Sequence, residues 1–130
     1  MQLESLKTSV QKNQEEVFDF LTKMENYEQL MPESNQRFEI LSPESFLFQL
    51  QGMPEIHLEL KETNAPEKII FGSLGGKLPF TLIATIDSVS QEKSEVQLLF
   101  QGEFNAMMGM MIKGPIQKFI NTLNENMASI

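Results

Sequence analysis

The chain has 130 residues, 41% of them hydrophobic, which suits a single domain spanning residues 1–130 with a real core. Its net charge of −8 argues against general affinity for nucleic acid or for an anionic membrane, both of which are polyanions. It contains no cysteine, which excludes disulfides, thiolate nucleophiles and Cys-ligated zinc.

Gln2 to Gln11 alternates loosely, with Leu6, Thr8 and Val10 in one phase, and predicts a first strand. Asn13 is placed to cap a helix, and Glu16 three residues on suits a capping box. Val17, Phe18, Leu21 and Met24 then give a short amphipathic helix to about Glu25. Tyr27, Leu30 and Met31 give a second short helix, stopped by Pro32.

From Gln36 the hydrophobic period falls to two. Phe38 and Ile40, then Phe46, Phe48 and Leu50, then Ile56, Leu58 and Leu60 form successive inner faces, separated by turns at Ser42-Pro43-Glu44 and Gly52-Met53-Pro54. Asn64-Ala65-Pro66 is the next break. Lys68 to Leu74 is a strand of unsettled phase, because Ile69-Ile70-Phe71 is apolar on both faces, and Gly75-Gly76 ends it. Phe80, Leu82, Ala84 and Ile86 form a further inner face. Ser88 to Ser94 reads as a polar loop, and Val96, Leu98, Phe100 and Gly102 complete the last strand. A turn near Gln91 pairs Leu82 with Phe100, Ala84 with Leu98 and Ile86 with Val96. A turn near Gly52-Met53 pairs Phe48 with Leu58 and Leu50 with Ile56. The alternation implies an antiparallel sheet with one covered face and one wet face.

Glu103 to Ile130 reads as one long helix. Phe104, Met108, Met111, Ile112, Ile116, Phe119, Ile120, Leu123 and Met127 recur at steps of three and four, the spacing of one helical face. Gly114-Pro115 predicts a kink, or a new helix that begins at Pro115. The expected fold is α+β: a seven-stranded curved antiparallel sheet gripping a long C-terminal helix, with two short helices after strand 1.

This order resembles the helix-grip fold of the START-like superfamily, which includes birch-pollen-allergen-type proteins, polyketide aromatase/cyclase proteins and lipid-transfer domains. Glu16-Val17-Phe18-Asp19-Phe20-Leu21 through Asn26-Tyr27 to Leu30-Met31-Pro32 is similar to that superfamily's opening helix, short second helix and Pro. The resemblance implies a cavity between the sheet and the last helix that holds a lipid, polyketide or other small apolar molecule. Phe48, Leu58, Leu82, Phe100, Phe104, Met108, Met111, Phe119 and Tyr27 are its candidate walls.

Residues suited to catalysis are few. His57 is the single histidine and shares a strand face with Glu55, Glu59 and Lys61, which makes it a solvent-facing residue and a weak metal ligand. Gly75-Gly76-Lys77 lacks the spacing of a phosphate-binding loop and reads as a hairpin turn. No catalytic residue, metal site or cofactor is expected. Met107, Met108, Met110 and Met111 cluster at the start of the last helix, either as core filling or as an adaptable cavity wall. Ile83 and Leu99 face each other on the wet side, and a homodimer through that face is an expectation. Ala106 to Ile112, the longest apolar run, contains Gly109 and is too short to span a bilayer. Met1 to Val10 lacks an apolar signal core, so no integral membrane segment and a cytoplasmic location are expected.

Three functions remain open at this level. The first is binding of a small hydrophobic ligand. The second is a cyclase, hydratase or hydrolase of the same superfamily, with Tyr27, Thr8 and Asn105 as the few inward polar candidates. The third is a ligand-free structural or interaction module with a closed core.

Overall fold

The computed structural model describes residues 1–73 and 79–130. The Gly75-Gly76-Lys77 turn and the end of the preceding strand at Leu74 lie outside the described residues.

The N-terminal strand is broken into β1 (Gln2–Glu4) and β2 (Thr8–Val10), both antiparallel to the last strand. Helix α1 (Gln14–Leu21) follows, then a 3₁₀ helix over Met24–Leu30. The remaining strands are β3 (Asn35–Ser42), β4 (Ser45–Leu50), β5 (Ile56–Asn64), β6 (Lys68–Ser73), β7 (Phe80–Ser90) and β8 (Lys93–Gly102). Helix α2 (Ala106–Asn126) closes the fold. The sheet runs in the order β1-β8-β7-β6-β5-β4-β3, with β2 also on β8, so its edges are the broken first strand and β3.

Period-two patterning decides which face is buried. Phe46 and Phe48, Ile56 and Leu58, Leu82, Ala84 and Ile86, and Val96, Leu98 and Phe100 all point to one covered face. In β6, Ile69 and Phe71 are buried and Ile70 is only half-buried, which settles the phase that three consecutive apolar residues left open. The β7–β8 register is Leu82↔Phe100, Ala84↔Leu98 and Ile86↔Val96, as the alternation predicts. Both strands run on into the expected polar loop, to a tight turn between Ser90 and Lys93.

The β4–β5 register differs from expectation by two residues: Phe48 faces Ile56 and Phe46 faces Leu58. A two-residue shift preserves which side chains face inward, so the hydrophobic pattern cannot detect it. Ile40 also departs from expectation. It is 43% exposed, because β3 is an edge strand that runs past the elements covering the core. Ile83 does pair with Leu99 on the outer face, where both are half-buried and Ile70 is the next residue across.

The break in the first strand has a register cause. Glu4 faces Leu99 and Thr8 faces Val96, so Ser5, Leu6 and Lys7 oppose only Leu98 and Gln97. The extra residue makes a bulge. It lets both Leu3 and Val10 point into the core, although their odd spacing would put them on opposite faces of a regular strand. Leu6, expected in phase with Val10, is expelled at the bulge and is 69% exposed. Ser5 fills the gap: its N–H donates to Leu98 O at 2.9 Å, and its Oγ accepts from Leu98 N at 2.9 Å.

Asn13 caps α1 by accepting from Glu16 N at 2.9 Å, and Glu16 answers with a bond to the Asn13 amide at 3.3 Å, a complete capping box. Val17 and Leu21 are the buried face of this helix. Helix α2 starts at the Asn105 cap, whose Oδ1 accepts from Met108 N at 2.8 Å. It runs through Pro115 as one helix, without the predicted break. Pro115 is on the exposed side, and Ile112, Ile116, Phe119, Ile120 and Leu123 pack the opposite face both before and after it. That burial holds the axis together across the missing hydrogen bond.

A second stripe on α2 is polar. Gln117 Nε2 donates to Glu4 O at 2.8 Å, and Asn121 Oδ1 accepts from Leu6 N at 3.4 Å. Asn124 is buried, and its Nδ2 reaches Leu6 O at 2.6 Å, Thr8 Oγ1 at 2.9 Å and Val96 O at 3.0 Å. These amides share one helical face and clip α2 onto the backbone opened by the bulge. Asn124→Leu removes the donor and leaves the carbonyls of Leu6 and Val96 short of a partner. Although Asn124 Oδ1 is itself unpartnered, the substitution is expected to cost about 1–3 kcal/mol in urea unfolding.

Candidate functional site

The concave face and α2 meet in an apolar seam. Phe48, Leu58, Leu82, Phe100 and Phe119 converge there, joined by Ile56, Phe80 and Ile116. The space between them is only about 10 Å³, at most the room of one water. Aromatic rings fill it: Phe48 stacks on Phe119 at 4.7 Å between centroids, and Phe80 stacks on Phe100 at 5.1 Å.

Directly outside Phe119 lies a cleft of about 340 Å³, open to solvent. Three distant segments form it: Pro32 and Ser34 before β3, Leu50 and Gln51 at the end of β4, and Gly114, Pro115 and Lys118 with Phe119 on α2. Phe119 lines both spaces. One ring therefore lies between an outer cleft and an inner seam, stacked on Phe48 at its inner side. Gly114 has no other atom within 4 Å of the position a Cβ would take, so the helix offers bare backbone to the cleft.

The other predicted wall residues lie elsewhere. Phe104 precedes α2 and stacks on Phe100 at 6.2 Å, capping the end of the seam from outside. Its ring lies 2.5 Å from where a Gly102 Cβ would stand, so only glycine lets the two meet. Met108 is half-buried against the core. Met111 is 65% exposed, not part of the inner stripe, and Met107 and Met110 are 75% and 84% exposed. The start of α2 projects beyond the sheet, so the inward stripe takes hold only from Ile112. Gly102→Ala is expected to push Phe104 off Phe100 and cost about 1–3 kcal/mol, an overpacking penalty readable as a lower thermal midpoint.

Tyr27 lies apart from the seam. Its ring stacks on Phe46 at 5.1 Å and meets Phe71 edge-on at 5.5 Å. Its hydroxyl donates to Leu21 O at 2.6 Å and ties the 3₁₀ helix to the end of α1. Burial holds the phenol well above its ordinary pKa, because the phenolate would be desolvated. A raised folded-state pKa means this contribution is intact below the unfolded value near 10 and fades as pH rises past it. The chain has one tyrosine and no tryptophan, so phenolate absorbance reports Tyr27 alone. It is expected to rise only together with alkaline unfolding, and Tyr27→Phe should remove that contribution to the alkaline limb.

The remaining polar candidates are already engaged. Thr8 accepts from Asn124 and Asn105 caps α2. His57 is on the outer face, 3.9 Å from a Glu55 carboxylate that also pairs with Arg37. Among the described residues no polar side chain lines the seam. Phe48 and Phe119 were among the expected wall residues, but the cleft itself carried no sequence signal, since its parts are far apart in the chain and individually ordinary.

No family model matches the sequence, and no curated protein matches it by sequence. Solved structures match its fold. A conserved protein from Geobacillus kaustophilus is 12% identical with a TM-score of 0.71, over 99% of this chain and 93% of that one. A START superfamily protein from Mycobacterium smegmatis is 12% identical with a TM-score of 0.68, over 95% and 94%. Norcoclaurine synthase from Thalictrum flavum, in complex with dopamine and hydroxybenzaldehyde, is 7% identical with a TM-score of 0.70, over 95% and 84%. The chain has the helix-grip fold of START-like proteins, and identities this low speak to fold alone. Among the described residues no helix is long and apolar enough to cross a membrane.

Proposed function

We propose that this protein binds a small hydrophobic molecule of lipid or polyketide type in the cleft over Phe119. The molecule gains the inner seam when the Phe119 ring turns away from Phe48. The observation that carries the reading is that one side chain lines both a 340 Å³ cleft and the seam beneath it. The cleft alone is of the size that small-molecule sites have. A similar fold holding dopamine and hydroxybenzaldehyde supports the idea that this architecture accommodates compact aromatic molecules.

Two features favour a binder over a cyclase or hydratase. The seam is walled by hydrocarbon, and proton transfer requires a titratable group within reach of the substrate. Tyr27, the one buried phenol, is committed to Leu21 O and lies away from the seam. A ligand-free module accounts for the small seam but leaves the cleft without a role.

Calorimetric titration with the neutral probe N-phenyl-1-naphthylamine tests the reading. Gly114→Leu places a side chain in the open cleft; the helix propensity it adds opposes the clash of its Cβ with the Pro115 ring, so stability is expected to stay within about 1 kcal/mol of the parent in urea unfolding while the probe is excluded. Loss of binding with a folded circular dichroism spectrum and a near-parental urea midpoint cannot come from unfolding. Phe119→Ala is expected to cost about 3–5 kcal/mol and to tighten probe binding by merging the two spaces. Unaltered probe binding in both variants, or none to the parent, would overturn the proposal.

A further inference from the structure

The cleft is not uniformly apolar. Lys118 stands on its rim one residue before Phe119, and Ser34 and Gln51 lie on the opposite wall. Lys7, Arg37 and Lys61 each pair with a carboxylate; among the described residues Lys118, like Lys12, Lys23, Lys68, Lys93 and Lys113, makes no salt bridge, and of these Lys118 is the one that lines the cleft. Gly114 is four residues earlier on the same helical face and has open space above it, so no side chain at that position stands between Lys118 and the cleft floor. The setting sharpens the contrast. The chain has 18 acidic and 10 basic residues, so its surface repels anions in general. An uncommitted ammonium beside an apolar floor is a local exception to that repulsion. Glu33, between Pro32 and Ser34, is exposed and makes no salt bridge to Lys118.

Resting on the reading of the cleft as a binding site, we propose that its ligand is an anionic amphiphile. The apolar body lies on Leu50, Pro115 and Phe119, and a carboxylate or equivalent anion meets Lys118 Nζ, with the Ser34 hydroxyl and Gln51 amide as further donors. The apolar part supplies most of the affinity, since burial scales with area. The ion pair is half in water and supplies selectivity instead. A neutral ligand of the same shape forfeits the pairing, and a cationic one meets a like charge.

Isothermal titration with decanoate, decanol and decylammonium tests this on the whole protein. Lys118 is exposed, so Lys118→Met and Lys118→Glu are expected to keep the parent's circular dichroism and urea midpoint. Decanoate should bind the parent about two- to five-fold more tightly than it binds Lys118→Met, the range of an exposed ion pair. Decanol should bind both alike. Lys118→Glu should weaken decanoate further and turn the preference toward decylammonium. Raising the salt to about 1 M should shrink the decanoate difference, because screening then acts within a few ångströms. If decanoate and decanol both bind and neither Lys118 variant changes their ratio, the anion assignment falls while the cleft remains a binding site. If none of the chains binds, both proposals fall.

Discussion

One constraint shapes this molecule: an aromatic-rich concave sheet face must be shut off from water, and a single helix supplies the cover at its centre. Phe48, Leu58, Leu82 and Phe100 give that face more apolar area than neighbouring strands can hide. α2 answers with Ile112, Ile116, Phe119, Ile120 and Leu123. Apolar contact has little directional preference and would tolerate sliding. The Gln117, Asn121 and Asn124 amides remove that freedom by bonding to backbone exposed at the bulge in the first strand. The bulge is thus a docking element for the helix as well as a correction of strand phase.

Fixing α2 in this position determines where the interior is full and where it is not. Against β8 and β7 the helix closes the space almost completely. Toward β4 it passes over Leu50 and the chain before β3, and there the cover is incomplete. Phe119 lies at the boundary between the two regimes, stacked on Phe48. Packed interiors respond to change by switching between discrete side-chain arrangements and do not deform continuously. A ring flanked by free volume on one side is the place where such a switch meets least resistance.

The polar groups follow the same division of labour. Buried ones serve the backbone: Tyr27 holds Leu21, Ser94 Oγ donates to Lys12 O at 2.8 Å, and Asn124 holds Leu6 and Val96. Charged groups stay outside, as in the Arg37 pairs with Glu39 and Glu55. What is left for a ligand is hydrocarbon inside and scattered polar groups at the rim of the cleft.

Much of this architecture was legible from residue order. Alternation marked the strands and their inner faces, the Asn13–Glu16 pair marked the start of α1, and three-four spacing marked the buried stripe of α2. Each signal is local, because backbone geometry converts spacing directly into direction. Direction was misjudged where an element outran its neighbours, as at Ile40 on the edge strand and Met111 on the projecting start of α2. The β4–β5 register escaped because hydrophobic parity is blind to an even shift. The bulge at Ser5–Lys7 was hidden because only pairing with β8 counts the extra residue. The cleft is a purely tertiary product. Pro32, Leu50 and Lys118 become neighbours only after the sheet has curved and the helix has been clipped in place. Sequence by itself determined which faces are apolar. How much empty space remained between them was decided by the docking of α2, since volume depends on the relative placement of elements and no local pattern encodes it.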